Sequence, residues 1–416
     1  MSLNETASAE RIHIGFFGKR NAGKSSLVNA VTNQEMSVVS PVKGTTTDTV
    51  RKAMELLPLG PVVIIDTPGI DDEGLLGEKR VAAANRVLHS CDIAVLCVEC
   101  GAGALDDYEQ QLTALFEKRG IPYVTALTKC DTAPQGSGTC GAVAPKVPDP
   151  AGAVAPKVPD PSGAVVVTSA ATGAGIEELK EALGACLKDR PERTILADIV
   201  KPGEAVVLVV PIDASAPKGR LILPQQLVLR ELLDIGAMAL VTKETELEQT
   251  LALMKEPPAL VVTDSQVFHF VKNVVPDEVP LTSFSILMAR YKGFLEPAVE
   301  GALLIDQLPD GAKILIAEGC THHRQCEDIG TVKLPKLLKK FTGKEFRLEW
   351  SSGRSYPEDL DTFDLVLHCG GCMLNEREMQ YRMRAALDAG VPFTNYGIAI
   401  AHMNGILRRS VAMLPL

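Results

Sequence analysis

The sequence predicts an α/β chain built on parallel sheets. Apolar runs of strand length alternate with helix-length stretches from Ile12 to Thr394. The first run leads into a glycine-rich loop and then a helix. Later runs end in polar or cysteine-bearing turns followed by helices, as strands joined by crossovers do. At 416 residues the chain is long for one domain, and two or three are expected. Apolar residues make up 46%, enough for several cores, and aromatics only 4%, so those cores should be aliphatic.

The first element is the stretch 12–32, IHIGFFGKRNAGKSSLVNAVT. Ile12, Ile14, Phe16 and Phe17 read as a strand and Ser26–Val31 as a helix. Between them Gly18–Ser25 fits G-x-x-x-x-G-K-[ST], a phosphate loop. Gly18 and Gly23 let the backbone curl, so that N–H groups through Asn21, Ala22, Gly23 and Ser26 can surround an anion at a helix N-terminus. Lys24 would reach the β- and γ-phosphates, and the Ser25 hydroxyl would hold Mg²⁺. The alternative is a glycine-rich turn that binds nothing.

The following elements extend that reading. Gly44-Thr45-Thr46-Thr47-Asp48 precedes a strand over 50–57, and Thr46 can place its hydroxyl on Mg²⁺. The strand 61–66 ends in Asp66-Thr67-Pro68-Gly69. There Asp66 sits behind Mg²⁺ and the Gly69 N–H meets the γ-phosphate. The strand 92–99 and the helix 106–118 come next, then the strand 121–128 with Thr128-Lys129-Cys130-Asp131 at its end. This matches the N-K-x-D guanine pattern with Thr for Asn. Asp131 can accept from guanine N1 and N2, the Lys129 stem can cover the base, and the missing Asn amide is expected to cost a tether to the phosphate loop or to the base, and with it some guanine affinity. The strand 165–171 carries Ser169-Ala170, placed for guanine O6, before a helix from Ile176.

In order and at strand ends, these motifs resemble the translation-factor-related GTPases, especially the Era and TrmE/MnmE branch. The resemblance implies GTP as ligand, Lys24, Asn21, Thr46 and Gly69 as the hydrolytic set, and a K⁺ ion held by Asn21. Ile70 stands where Ras-like proteins have a catalytic glutamine, which implies slow, K⁺-assisted or partner-assisted hydrolysis. Asp71, Asp72 and Glu73 could position water, although such a run is more often a solvated loop.

Gly141–Pro150 (GAVAPKVPDP) recurs residue for residue at Gly152–Pro161. Residues 133–162 are therefore expected to be a disordered insertion within a GTPase domain spanning 1–190. Residues 191–280 read as a small parallel α/β domain with strands near 205–212, 237–243 and 259–264. Asp213, Ser215 and Lys218 share a loop there without a nucleophile constellation, and His269, between Phe268 and Phe270, reads as a packed histidine. A structural or dimerisation role is expected.

In residues 281–416 the strand 313–318 ends at Gly319-Cys320-Thr321-His322-His323, and the strand 363–367 at His368-Cys369-Gly370-Gly371-Cys372. Neighbouring parallel strands would bring the two turns together. Three cysteines and a histidine suit tetrahedral Zn²⁺ or an iron–sulfur cluster, and buried thiols are the third option. On Cys320, Cys369 and Cys372 a cluster leaves one iron for His322, His323, His368, Glu327 or an outside ligand. Cys326 reads as a bystander.

The C-x-H at 320–322 and the H-C-x-x-C at 368–372, behind an MnmE-like GTPase domain, resemble the HydF family of [FeFe]-hydrogenase maturation GTPases. The resemblance covers essentially the whole chain. It implies a P-loop GTPase domain followed by two smaller parallel α/β domains, one for dimerisation and one for a [4Fe–4S] cluster. It also implies a homodimer or tetramer, transient binding of a di-iron precursor, two radical-SAM maturases as partners, and delivery to the hydrogenase apoprotein. The runner-up is a ribosome- or tRNA-acting GTPase with a structural zinc domain. A net charge of −10 argues against it, because nucleic-acid surfaces need Lys/Arg excess. A cluster enzyme with radical chemistry of its own would need C-x₃-C-x₂-C, which the sequence lacks. With no signal-like N-terminus, no apolar run of membrane-spanning length and ten cysteines that read as thiols or ligands, a cytoplasmic chain is expected.

Overall fold

A computed structural model describes residues 7–33, 50–67, 84–101, 104–131, 163–188, 193–212, 221–319, 329–353 and 356–415. They fall into two compact units, Met1–Pro191 and Glu192–Leu416. Among the described residues no helix is long and apolar enough to cross a membrane.

In the first unit β1 (Ile12–Phe17), β2 (Val50–Leu56), β3 (Gly60–Asp66), β4 (Ile93–Glu99), β5 (Tyr123–Thr128) and β6 (Ala164–Val167) form one sheet. Its order is β2-β3-β1-β4-β5-β6. Only the β2–β3 pair is antiparallel. The near-continuous apolar runs of β1 and β4 are covered on both faces, as parallel strands are. Alternation splits them between two cores. Ile14 and Phe16 join Leu27, Val28, Leu179 and Leu183 from the helices Lys24–Thr32 and Ile176–Ala185 on one face. Phe17 joins Leu112 and Phe116 from the helix Asp107–Lys118 on the other.

The expected strand over 165–171 stops at Val167. Thr168 still donates its N–H to the Leu127 carbonyl at 2.7 Å, but Ser169 turns its N–H to Ala174 at 2.9 Å. The chain is thus already folding back toward Gly175, whose left-handed φ of 74° opens the next helix.

Among the described residues the second unit holds two all-parallel sheets. The first has β7 (Ala205–Val209), β8 (Met238–Thr242), β9 (Leu260–Thr263) and β10 (Leu281–Ser283) in the order β10-β9-β7-β8. The second has β11 (Lys313–Glu318), β12 (Arg347–Ser352), β13 (Leu365–His368) and β14 (Phe393–Asn395) in the order β12-β11-β13-β14. The expected boundary at residue 280 therefore falls just before the last strand of the first sheet.

One hydrophobic cluster runs through both sheets, from Ile195 to Leu414. The reason lies in the helices Phe284–Tyr291 and Tyr396–Met403, which are apolar nearly all round and buried on most sides. The first packs against the helix Leu223–Ile235 of one sheet and against Tyr396–Met403 of the other. The helix Phe268–Val274 buries Phe268 and Val271 and leaves His269 exposed, so the expected packed histidine faces solvent instead.

A shared core has a measurable consequence. Leu287 is fully buried within it. Leu287→Ala should cost about 2–5 kcal/mol. Hydrogen exchange should show β7–β9 and β11–β14 losing protection together. Loss confined to β7–β9 would mean that the two sheets open independently.

Candidate functional site

The first candidate site lies where β1 hands the chain to its helix. Gly18 has φ of 142° and Gly23 of 77°. A Cβ on Gly18 would stand 2.4 Å from the Cys97 carbonyl oxygen, so only glycine lets the loop cross β4 this closely. Asn21 also takes a left-handed φ, 60°. Lys24 is buried, and its Nζ donates to the Gly18 carbonyl at 2.9 Å, which keeps the ammonium inside the ring of the loop.

The Ser25 hydroxyl donates to Asp66 Oδ2 at 2.6 Å. The residue expected to hold Mg²⁺ and the carboxylate expected behind it are thus joined across β1 and β3. Ala22 is buried, while Ser26 lies in the first turn of the helix. Cys97 is enclosed here. Its burial pushes the thiol up to about 12, with the Lys24 ammonium pulling the other way, so it stays protonated beside the loop.

The guanine-side residues converge on the same sheet edge. Asp131 accepts from the Ser169 hydroxyl at 2.7 Å, and Ser169 Oγ accepts the Thr172 N–H at 3.2 Å. The carboxylate is therefore oriented by the loop that also carries Ala170. Lys129 has a left-handed φ of 58° and pairs with Glu99 at 3.2 Å.

Thr128 corrects an expectation. Its hydroxyl lies 2.7 Å from the Ala22 carbonyl and 3.1 Å from that of Val98, positioned to donate to either. The tether to the phosphate loop is present, supplied by a hydroxyl where the usual pattern has an amide. Thr46, Gly69, Ile70, Asp71–Glu73 and the insertion 133–162 lie outside the described residues.

The second candidate site lies at the carboxyl ends of β11 and β13. These strands pair in parallel with Ala317 opposite His368. That register delivers the Gly319 N–H to Cys369 Sγ at 3.1 Å, and the Gly371 N–H reaches the same sulfur at 3.4 Å. Desolvation pushes the Cys369 thiol up to about 11, while the two N–H groups oppose that shift. Such a sulfur is a half-buried acceptor whose proton a thiophilic metal would displace. Gly371 (φ 63°) passes so close to Met379 that a Cβ would stand 2.3 Å from its sulfur. Cys372 follows, partly exposed.

His368 is not placed to be a ligand. Its Nδ1–H donates to the Cys369 carbonyl at 2.7 Å, and its Nε2 accepts from Arg382 at 3.2 Å. Both ring nitrogens are committed, and burial with the Arg382 charge lowers its pKa to about 3, so the ring is neutral. Cys320, His322, His323, Cys326 and Glu327 lie outside the described residues, as do Asp213, Ser215 and Lys218. Among the described residues no group of three or more His, Cys, Asp or Glu side chains could hold a metal ion. Sequence reasoning missed Arg382 and Lys292, both buried against this turn.

The comparisons with known proteins divide along the same lines. A family model described as a 50S ribosome-binding GTPase matches residues 13–129. Two further models, the hydrogen maturase F dimerization domain and the hydrogen maturase F tetramerization domain, match residues 195–293 and 296–413. A GTPase Der of Wolinella succinogenes is 37% identical over 130 residues, 30% of this chain and 27% of that protein. A tRNA modification GTPase MnmE of Cupriavidus metallidurans is 33% identical over 189 residues, 42% of this chain and 37% of that protein. The chain thus spans well under half the length of these relatives. Among solved structures, Era in complex with MgGDPNP and nucleotides 1506–1542 of 16S ribosomal RNA matches at 19% identity and TM-score 0.34. That match covers 56% of this chain and 93% of the other. With a GTPase match ahead of both maturase modules, which together run over residues 195–413 of 416, the chain belongs to the hydrogen maturase F family.

Proposed function

We propose that this chain is a GTP-binding and GTP-hydrolysing scaffold that carries a di-iron precursor and passes it to the [FeFe]-hydrogenase apoprotein. What supports this is that one chain carries two candidate sites, each at the carboxyl ends of parallel strands and each in its own compact unit. In this reading residues 1–190 are the GTPase, 191–280 the dimerisation part and 281–416 the cluster-binding part, although the family model over 296–413 carries tetramerization in its description. The two radical-SAM maturases and the apoprotein are its partners in the cytoplasm, with neither nucleic acid nor membrane involved.

At the first site the curled loop and Lys24 stabilise charge on the β- and γ-phosphates, and Ser25 and Thr46 hold Mg²⁺. Asp131 selects guanine over adenine, because only guanine offers it two donors. Ile70 is apolar and cannot orient water. Hydrolysis is therefore slow, and a K⁺ ion at Asn21 accelerates it by adding positive charge beside the phosphates.

At the second site Cys320, Cys369 and Cys372 would hold a [4Fe–4S] cluster. The Cys369 sulfur fits that role, since backbone N–H bonds to ligating sulfur accompany such clusters. When bound, the cluster would supply one iron not held by these cysteines, to be met either by cargo or by His322 or Glu327.

A second copy of the chain is the partner we assign to β8. It is an edge strand, and Met238 (55% exposed) and Val241 (50%) lie on it, with Leu233 (61%) on the adjoining helix. Two β8 strands meeting antiparallel would continue the sheet across a two-fold axis and cover these side chains. The runner-up, an RNA-acting GTPase with structural zinc, draws on the description of the 13–129 model and predicts RNA binding that falls steeply with salt.

Two experiments test the reading. Lys24→Ala should abolish GTP hydrolysis and leave bound iron unchanged, while Cys369→Ser should remove the iron and leave K⁺-stimulated hydrolysis nearly intact. Loss of both properties in either variant contradicts separable sites. Met238→Lys with Val241→Lys should shift the chain toward monomer in sedimentation velocity, and an unchanged dimer would rule out the β8 edge.

A further inference from the structure

Lys292 is only 2% exposed. It follows the helix Phe284–Tyr291, and its N–H completes that helix by donating to the Met288 carbonyl at 3.0 Å. Its Nζ donates to the carbonyls of Gly371 and Leu374, each at 2.7 Å, so the ammonium spans Cys372 from either side in sequence. The Gln380 side chain donates back to the Lys292 carbonyl at 3.4 Å.

Arg382 does the parallel job for the other half of the turn. It is fully buried, bonded to Glu378 Oε1 at 3.0 Å and to the Gly353 carbonyl at 2.7 Å, and it donates to His368 Nε2. His368 in turn holds the Cys369 carbonyl. The carbonyls of Cys369, Gly371 and Leu374 are therefore each fixed by a buried donor. Gly371 shows the consequence: its carbonyl goes to Lys292 while its N–H goes to Cys369 sulfur.

Burying an ammonium is costly, and a neutral amide could bond two carbonyls as well. The ammonium brings positive charge as well as hydrogen bonds to the turn, and that charge would favour an anionic group held there. A thiolate-held iron–sulfur cluster is one, and nearby positive charge and outer hydrogen bonds are what tune it. Lys292 also lies in the segment 195–293, whereas the turn lies in 296–413, so one side chain links the two maturase modules.

We propose that Lys292 is a positioning residue for the cluster. Its ammonium fixes the turn Cys369–Leu374 and sets its positive charge against the negative cluster. This role rests on Cys369 and Cys372 being cluster ligands.

The test is anaerobic reconstitution of the full chain as wild type, Cys369→Ser, Lys292→Met, Lys292→Gln and Lys292→Arg, reading bound iron and sulfide, EPR spectrum and midpoint potential. Lys292→Met should weaken iron uptake about tenfold and lower the midpoint potential of whatever cluster forms. Lys292→Gln keeps N–H donors and serves where the Met variant lacks the wild-type thermal transition. It should bind iron better than Lys292→Met yet still show the lower potential. Lys292→Arg should return the potential toward wild type. Wild-type iron content, spectrum and potential in both neutral variants would overturn the role of Lys292 while leaving the cluster reading standing. A wild-type chain that takes up no iron would end the cluster reading itself, and the role of Lys292 with it.

Discussion

In a parallel pair both strands bring their carboxyl ends to the same edge, and both candidate sites are built from the loops beyond those ends. At the first, the loop after β1 meets Asp66 at the end of β3 and Thr128 at the end of β5. At the second, Gly319 after β11 meets Cys369 after β13. In the first sheet β1 lies between β3 and β4, and in the other β13 has β12 to one side and β14 to the other, so the loops beyond the strands diverge and leave a crevice. Hairpin connections would have placed the same residues at opposite edges.

The two crevices differ in how they are held. The phosphate loop is a backbone device. Its shape depends on glycines at Gly18 and Gly23 and on the Thr128 hydroxyl reaching Ala22. The cysteine turn is held from outside by charged side chains, Lys292 and Arg382, that are buried and bonded to its carbonyls directly or through His368. A loop that binds phosphates presents N–H groups and needs glycine. A turn that binds metal presents sulfur and needs its carbonyls held elsewhere.

Much of this was legible in the sequence where a residue's role depends on its neighbours in the chain. Gly18–Ser25, the strand ending at Asp66 and the turn after β13 carry their context with them. The expectation failed where the partner is remote or the pattern weak. Lys292 is 79 residues from Gly371, and nothing in YKGF separates a buried lysine from a solvated one. His368 resembled a ligand because it adjoins C-x-x-C, yet Arg382, 14 residues on, takes its free ring nitrogen. β12 went unread because its mixed exposure leaves no clean alternation, and β10 because three residues carry no period. Thr128 looked like a lost tether because a hydroxyl and an amide differ in reach, and only the packing of β5 against the loop shows that the hydroxyl suffices.

If the turn at Cys369 and Cys372 belongs to a cluster carrier governed by a GTPase, the metal it holds must be iron. Metal analysis and EPR of the anaerobically purified, reduced wild-type chain address this most directly. Iron and sulfide in equal amounts, with the spectrum of a reduced [4Fe–4S] cluster, are the predicted result. Stoichiometric zinc with no uptake of iron would contradict it.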